Sequence, residues 1–336
     1  ENLPKDGSKL SSGFENWMLY CSINIPHPAF QTNATWLSYV NEERVTLPKW
    51  LQEDEFHPAD SYMSISKHVW RNFSNEEILR VRKTYYAMCA ETDYLLGRVL
   101  KALNDTGHFD NTYIIFLSDH GEMNMEHRQV WKNSMYEASS RVPLMISGPG
   151  VPSGGLVKNL TSLLDIYPTL MEMAGGTPPD FLDGHSLFPF IHPGASTTSK
   201  YPADRAVTSQ YHSNMGNTGS FMLRYGNWKY ITFGTTLAAF KNYQPQLFDL
   251  EADPDELHDI ASKNPHVVQQ LDQKLRSFID YPEVDKLAVL NDKMVYKKYF
   301  QNKYTSTQLR KKFESAYQGF DDGDWNKIQV WSKEAV

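Results

Sequence analysis

An aspartate and a histidine stand side by side at positions 119 and 120, where the run YIIFLS at 113–118 gives way to Gly121. A carboxylate oxygen and an imidazole nitrogen together offer a divalent cation one hard and one borderline ligand, and the glycine lets the backbone turn away beneath them. Further along the same loop, Lys132 adds a cation able to reach an anionic substrate held by such a metal. Taken singly, the same residues also describe a turn-capping aspartate, a satisfied loop histidine and a solvated surface lysine.

The elements that must position them follow from hydrophobic pattern. Tyr113 to Leu117 is a short β-branched and aromatic run, the pattern of a buried strand that delivers polar groups to the carboxyl edge of a parallel sheet, where ligands bind in open α/β folds. Before it, Ser74 and Glu77 form a capping box, and Ile78, Val81, Tyr85, Cys89, Leu96, Val99 and Leu103 recur at helical spacing until Asp105, Thr106 and Gly107 end the helix. This predicts a crossover helix feeding the Tyr113 strand. Upstream, WMLYCSINIPHP predicts a buried strand from Trp17 to Ile25, broken by Pro26 and Pro28, with His27 at its exit. Residues 31 to 73 read as a long ordered loop over the sheet edge, and His57 within it is a second candidate substrate contact.

Beyond Lys132, a strand is predicted over Val142 to Ser147, stopped by Gly148, Pro149 and Gly150. A helix follows from Leu164 to Gly175, with Pro168 tolerated in its first turns and Asp165 structural. The composition shifts near residue 192, which divides the chain into an α/β region that holds the candidate metal and anion groups (1–192), a small antiparallel α+β subdomain (193–281) and a charged, aromatic, partly helical tail (282–336). His212, after a strand, reads as a surface histidine within possible reach of the cleft.

A net charge of −7 argues against nucleic-acid binding through a general basic field, and no apolar run approaches the roughly 18 residues of a membrane span. Cys21 and Cys89 fit no zinc or disulfide-rich spacing; buried thiols or a single bridge both remain open. Acceptor sequons at Asn33, Asn72, Asn104 and Asn159 lean towards a lysosomal or secreted route. Glu1 follows no signal peptide and no initiating Met, and does not look like the start of a gene product.

SDHGE at 118–122, EHR at 126–128 and WKNSMYEASSRVPLMISGPG at 131–150 resemble the metal loop and lysine block of the sulfatases in the alkaline phosphatase superfamily. The segments at 161–175 and 183–187, and LFDLEADPDELHDIA at 247–261, carry the likeness over nearly the whole chain. The resemblance implies an alkaline-phosphatase-like α/β sandwich: a mostly parallel sheet flanked by helices, with a small carboxy-terminal antiparallel subdomain. It implies one calcium ion per site, with Asp119 and His120 as ligands, Lys132 on the sulfate ester, and His27 touching the sulfate and protonating the leaving alcohol. The implied substrate is a sulfated glycosaminoglycan or small sulfate ester, with 2-sulfated glucuronate first.

Sulfatases use a formylglycine nucleophile made from the Cys of a Cys-x-Pro-x-Arg motif. Neither Cys21, followed by SINIP, nor Cys89, followed by AETDY, fits it. The expectation is therefore a carboxy-terminal portion that packs against its own amino-terminal segment, which brings the missing strands and the nucleophile. The alternatives are an inactive fragment that binds sulfated glycan or a protein partner, and a phosphate-ester hydrolase of the same superfamily.

Overall fold

The computed structural model describes residues 16–50, 56–67, 69, 73–194, 201–212, 218–237, 240–316 and 321–333. In chain order these form helices α1 (Ala34–Tyr39), α2 (Pro58–Ser66) and α3 (Asn75–Asp105), strand β1 (Ile114–Leu117), helix α4 (Glu137–Ser140), strand β2 (Leu144–Ser147), and helices α5 (Ile166–Met173) and α6 (Phe188–Ile191). Strands β3 (Ala206–Tyr211), β4 (Ser220–Tyr225), β5 (Trp228–Phe233) and β6 (Gln246–Asp249) follow, then helices α7 (Pro265–Arg276), α8 (Tyr281–Tyr296), α9 (Ser306–Ala316) and α10 (Asp322–Lys333). They belong to two compact units: Glu1–Trp50, Val69–Lys132 and Arg141–Ala203 in one; Leu51–His68, Asn133–Ser140 and Asp204–Val336 in the other.

In the first unit, α3 begins where its capping box predicts. The Ser74 hydroxyl accepts from the Glu77 amide at 3.2 Å, and the Glu77 carboxylate accepts from the Ser74 amide at 2.8 Å. The helix ends at Thr106, with Gly107 in the left-handed region (φ 73°). Ile78, Arg82, Ala87 and Met88 are its buried residues, while the predicted apolar positions beyond Cys89 are only half-buried. Helix α1 lies on this helix, Trp36 meeting Tyr94 with ring centroids 5.3 Å apart.

Strands β1 and β2 pair antiparallel, Ile114 opposite Ser147 and Leu117 opposite Leu144. The expected parallel sheet is thus not seen among the described residues. A parallel neighbour for β1 would come from the chain before α3, and that segment, predicted as a buried strand over 17–25, forms no strand. Met18 and Tyr20 are 73% and 81% exposed. An apolar run predicts burial only where a neighbouring strand exists to take its backbone hydrogen bonds, and none lies beside this one among the described residues.

The second unit holds an antiparallel sheet in the order β3-β4-β5-β6. Strands β4 and β5 form a hairpin in which Tyr225 faces Trp228 and Gly226 supplies the positive φ (55°) that a two-residue turn demands. Phe221, Leu223, Tyr230 and Leu247 are buried against Leu271 and Leu275 of α7. Each such side chain stabilises the fold by about 1.5–3 kcal/mol. Strand β5 is covered on its other face too: Lys229 is fully buried, its ammonium 2.8 Å from the carboxylates of Glu137 and Glu256 and from the Met135 carbonyl.

Candidate active site

Strand β1 stops at Leu117, and the next side chains turn back on their own backbone. The Ser118 hydroxyl donates to the His120 carbonyl at 2.7 Å, and the Asp119 carboxylate accepts from the His120 amide at 3.0 Å. His120 Nδ1 lies 2.8 Å from the Gly121 carbonyl. A carbonyl only accepts, so Nδ1 carries the hydrogen in that contact and Nε2 keeps its lone pair. That nitrogen sits 3.6 Å from Asp119 Oδ2, and the Asp119 side chain is 85% exposed. Two lone-pair donors therefore stand together at the strand end, with the histidine oriented as metal-ligating imidazoles are, through its other ring nitrogen. No group of three or more metal-ligating side chains occurs among the described residues, so the pair fits a divalent cation as part of a shell.

Between this pair and Lys132 the backbone is strained. Asn124, Met125, His127, Arg128 and Trp131 all have positive φ, between 41° and 75°, without a glycine among them. Left-handed conformations cost non-glycine residues roughly 1–2 kcal/mol each. The cost is offset by anchoring. Met123, Met125 and Gln129 are buried, and buried Arg82 donates to the Asn124 carbonyl (2.9 Å) and the Glu126 carboxylate (2.7 Å). Trp50 Nε1 donates to the Met125 carbonyl at 2.6 Å, and the Glu122 carboxylate accepts from the Asn124 amide (3.0 Å) and the Trp131 amide. Ile78, Met125 and Val130 form the small core beneath the loop.

Lys132 emerges from this loop and meets His27: the ammonium donates to Nε2 at 3.0 Å. His27 Nδ1 donates to the Pro28 carbonyl at 2.6 Å, which leaves Nε2 as the acceptor and the ring neutral in this contact. The general-acid candidate and the candidate anion-binding cation thus share one hydrogen bond between positions 105 residues apart.

The other predicted residues have their own partners. His57 caps α2, its Nδ1 accepting from the Ala59 amide at 3.1 Å and its Nε2 donating to the Gln244 carbonyl at 2.9 Å, with the ring stacked on Phe233. Burial holds it below the ordinary imidazole value, against the Gln244 contact and the charge of Asp259. His212 packs edge-on to Phe221 and is likewise lowered by burial, against Asp285 and Asp292. Asp165 is fully buried and accepts from the Ser162 and His185 amides, both at 2.9 Å. Asn33, Asn104 and Asn159 are exposed, Asn33 also capping α1, and Asn72 lies outside the described residues. Cys21 and Cys89 are both free; burial raises the Cys89 thiol.

Sequence reasoning missed Arg82, Trp50 and Glu122. For Arg82 a signal exists: it falls on the apolar stripe between Ile78 and Tyr85, where a cation needs a buried partner.

The Sulfatase family model matches residues 10–176, and the N-sulphoglucosamine sulphohydrolase, C-terminal, model matches residues 125–281. Arylsulfatase K of Danio rerio is 46% identical over 281 residues, covering 80% of this chain and 53% of that protein. The chain spans about half the length of the curated relatives it matches. Among solved structures, a phosphonate monoester hydrolase of Agrobacterium radiobacter superposes with a TM-score of 0.59 at 26% identity, over 75% of this chain and 54% of that one. A protein in complex with its substrate D-glucosamine-2-N,6-O-disulfate superposes with a TM-score of 0.53 at 27% identity, over 63% of this chain and 44% of that one.

Proposed function

The chain belongs to the sulfatase family, with the alkaline-phosphatase-like α/β fold, and from that premise we propose that it serves a hydrolase that removes sulfate from sulfated sugars. The substrate we favour is 2-sulfated glucuronate in glycosaminoglycans. The observation that carries the reading is the 3.0 Å contact between Lys132 and His27 in the unit that also holds Asp119 and His120.

Lys132 binds the sulfuryl oxygens and neutralises charge that grows as the sulfur is attacked. As it turns from His27 to the substrate, Nε2 is released to carry a proton. When the bond between sulfur and sugar oxygen breaks, His27 hands that proton to the departing oxygen while Nδ1 stays fixed on the Pro28 carbonyl. Asp119 and His120 would hold calcium, which when bound supplies Lewis-acid polarisation of the sulfate. Neither cysteine stands in a Cys-x-Pro-x-Arg motif. We therefore assign the formylglycine, and the remaining calcium ligands, to the part of the relatives' length that this chain does not span. Exposed Asn33, Asn104 and Asn159 support a lysosomal or secreted route.

The test is sulfate release from a 2-sulfated glucuronate disaccharide by full-length protein in calcium. Lys132→Ala should lower kcat/KM by about a hundredfold or more, the scale of a lost charge stabiliser, with the circular dichroism spectrum unchanged. Unchanged turnover would remove Lys132 from the site. The likeness to a phosphonate monoester hydrolase favours one second reading, a phosphorus-ester hydrolase. Faster turnover of a phosphonate monoester than of any sulfate ester would establish it instead, and no hydrolysis of either would leave a binding protein.

A further inference from the structure

Although the chain carries a net charge of −7, residues 293 to 312 hold seven lysines and arginines and no carboxylate. That stretch lies beyond the residues the family models match. It runs from the end of α8 through a π-helical turn, Lys297–Gln301, into α9. Such turns are rare and concentrate at functional sites.

Its lysines are arranged around tyrosine faces. The ammonium groups of Lys298 and Lys303 lie 5.0 and 5.6 Å from the centre of the Tyr299 ring, and that of Lys312 lies 4.5 Å from the centre of Tyr304. Phe300 and Phe313, with centroids 6.4 Å apart, join the turn to α9. Arg310 is committed to Glu314 and Asp322, whereas among the described residues Lys298, Lys303 and Lys312 have no carboxylate partner. Tyr299 is 47% exposed. Gathering like charges disfavours the folded state by self-repulsion, and an anion laid across them relieves it.

We propose that this turn and the start of α9 bind a linear sulfated glycan, through residues distinct from those of the candidate active site. Ammonium groups pair with sulfates, and half-exposed Tyr299 beneath them offers apolar surface for a sugar ring. The choice of anion rests on the sulfated-sugar reading above; the geometry does not. A chain one sugar wide can follow a basic patch as local as this one. Exposed Leu287, Leu290 and Met294 on α8 are what a bilayer would use, so vesicles form one arm of the test.

Fluorescence anisotropy of the full chain with a fluorescein-labelled heparin oligosaccharide, its desulfated counterpart, and phosphatidylserine vesicles decides the matter. The sulfated oligosaccharide should bind, the desulfated one should not, and the affinity should fall as sodium chloride is raised. The Lys298→Gln/Lys303→Gln/Lys312→Gln variant should bind about tenfold or more weakly with a shallower salt dependence, and melt no lower than the parent because these lysines are on the surface and repel one another. Tyr299→Ala should weaken binding while leaving the salt dependence unchanged. Parent-like binding by the triple variant, or binding to vesicles but not to the oligosaccharide, would overturn the proposal. The Lys298→Gln/Lys303→Gln/Lys312→Gln variant of the full-length protein separates the two readings: it should lose oligosaccharide binding while releasing sulfate from the 2-sulfated glucuronate disaccharide as the parent does.

Discussion

The two units solve opposite problems. In the second, buried side chains converge: Phe221, Leu223 and Leu247 are inaccessible to solvent, and a fully buried lysine is matched by two carboxylates. The first has a two-stranded sheet whose β1 residues are only half-buried, an apolar segment at 17–20 that no strand covers among the described residues, and a loop of left-handed residues. The run of left-handed residues lies in the loop that leads to Lys132, and several of its members, Met125 and His127 among them, are buried. A loop that presents Lys132 needs anchors such as Arg82 because its own conformation is unfavourable.

That contrast can be broken. The largest stability loss is expected from Lys229→Ala, which leaves Glu256, already held above the ordinary carboxylate range by burial, without its cation. A cost of about 3–5 kcal/mol is expected in urea unfolding. A loss below about 1 kcal/mol would show that the buried ions do not hold the second unit together. Next comes Ser74→Ala in the first unit, which removes one half of a capping box and should cost about 1 kcal/mol by the same measurement. If it cost as much as Lys229→Ala, stability would be shared evenly between the units.

The smallest effect is a pH dependence. His57 in the folded state lies below its ordinary value, so the unfolded chain takes the proton more readily. Stability from this group is full above about pH 6.5 and is lost as pH falls from there towards the depressed value. Protonation would also abolish the lone pair that accepts from the Ala59 amide. His57→Asn should flatten the decline in urea midpoint between pH 7 and pH 5. Glu256 works in the opposite sense, since its raised carboxyl gains stability as pH falls, and comparing parent with variant isolates the histidine. An identical decline in both would assign the dependence to other groups, His212 among them.

Much of this molecule was legible as a string of residues. The start of α3, its stop at Gly107, the antiparallel α+β character of the subdomain after residue 192 and the polar turn after Leu117 follow from caps, turn residues and hydrophobic periods, all of which act over a few residues. The antiparallel pairing of β1 with β2 and the exposed course of residues 17–20 did not follow. A strand-like pattern states what a segment prefers, and only its neighbours decide whether and in which direction it pairs.

The sequence by itself determined the types of the candidate site groups and the local frames that carry them: a carboxylate and an imidazole at a strand end, a lysine on the following loop, a histidine between two prolines. Tertiary structure alone decided that Lys132 meets His27 and that five left-handed residues lie between the strand end and that lysine. It also decided that His57 serves as a helix cap with both ring nitrogens occupied. The physical reason is range. Caps and periodicities are set by residues within a turn or two, while the ammonium–imidazole contact joins positions 105 residues apart, and the strained loop, tied internally by Glu122, is held from elsewhere by Arg82 and Trp50.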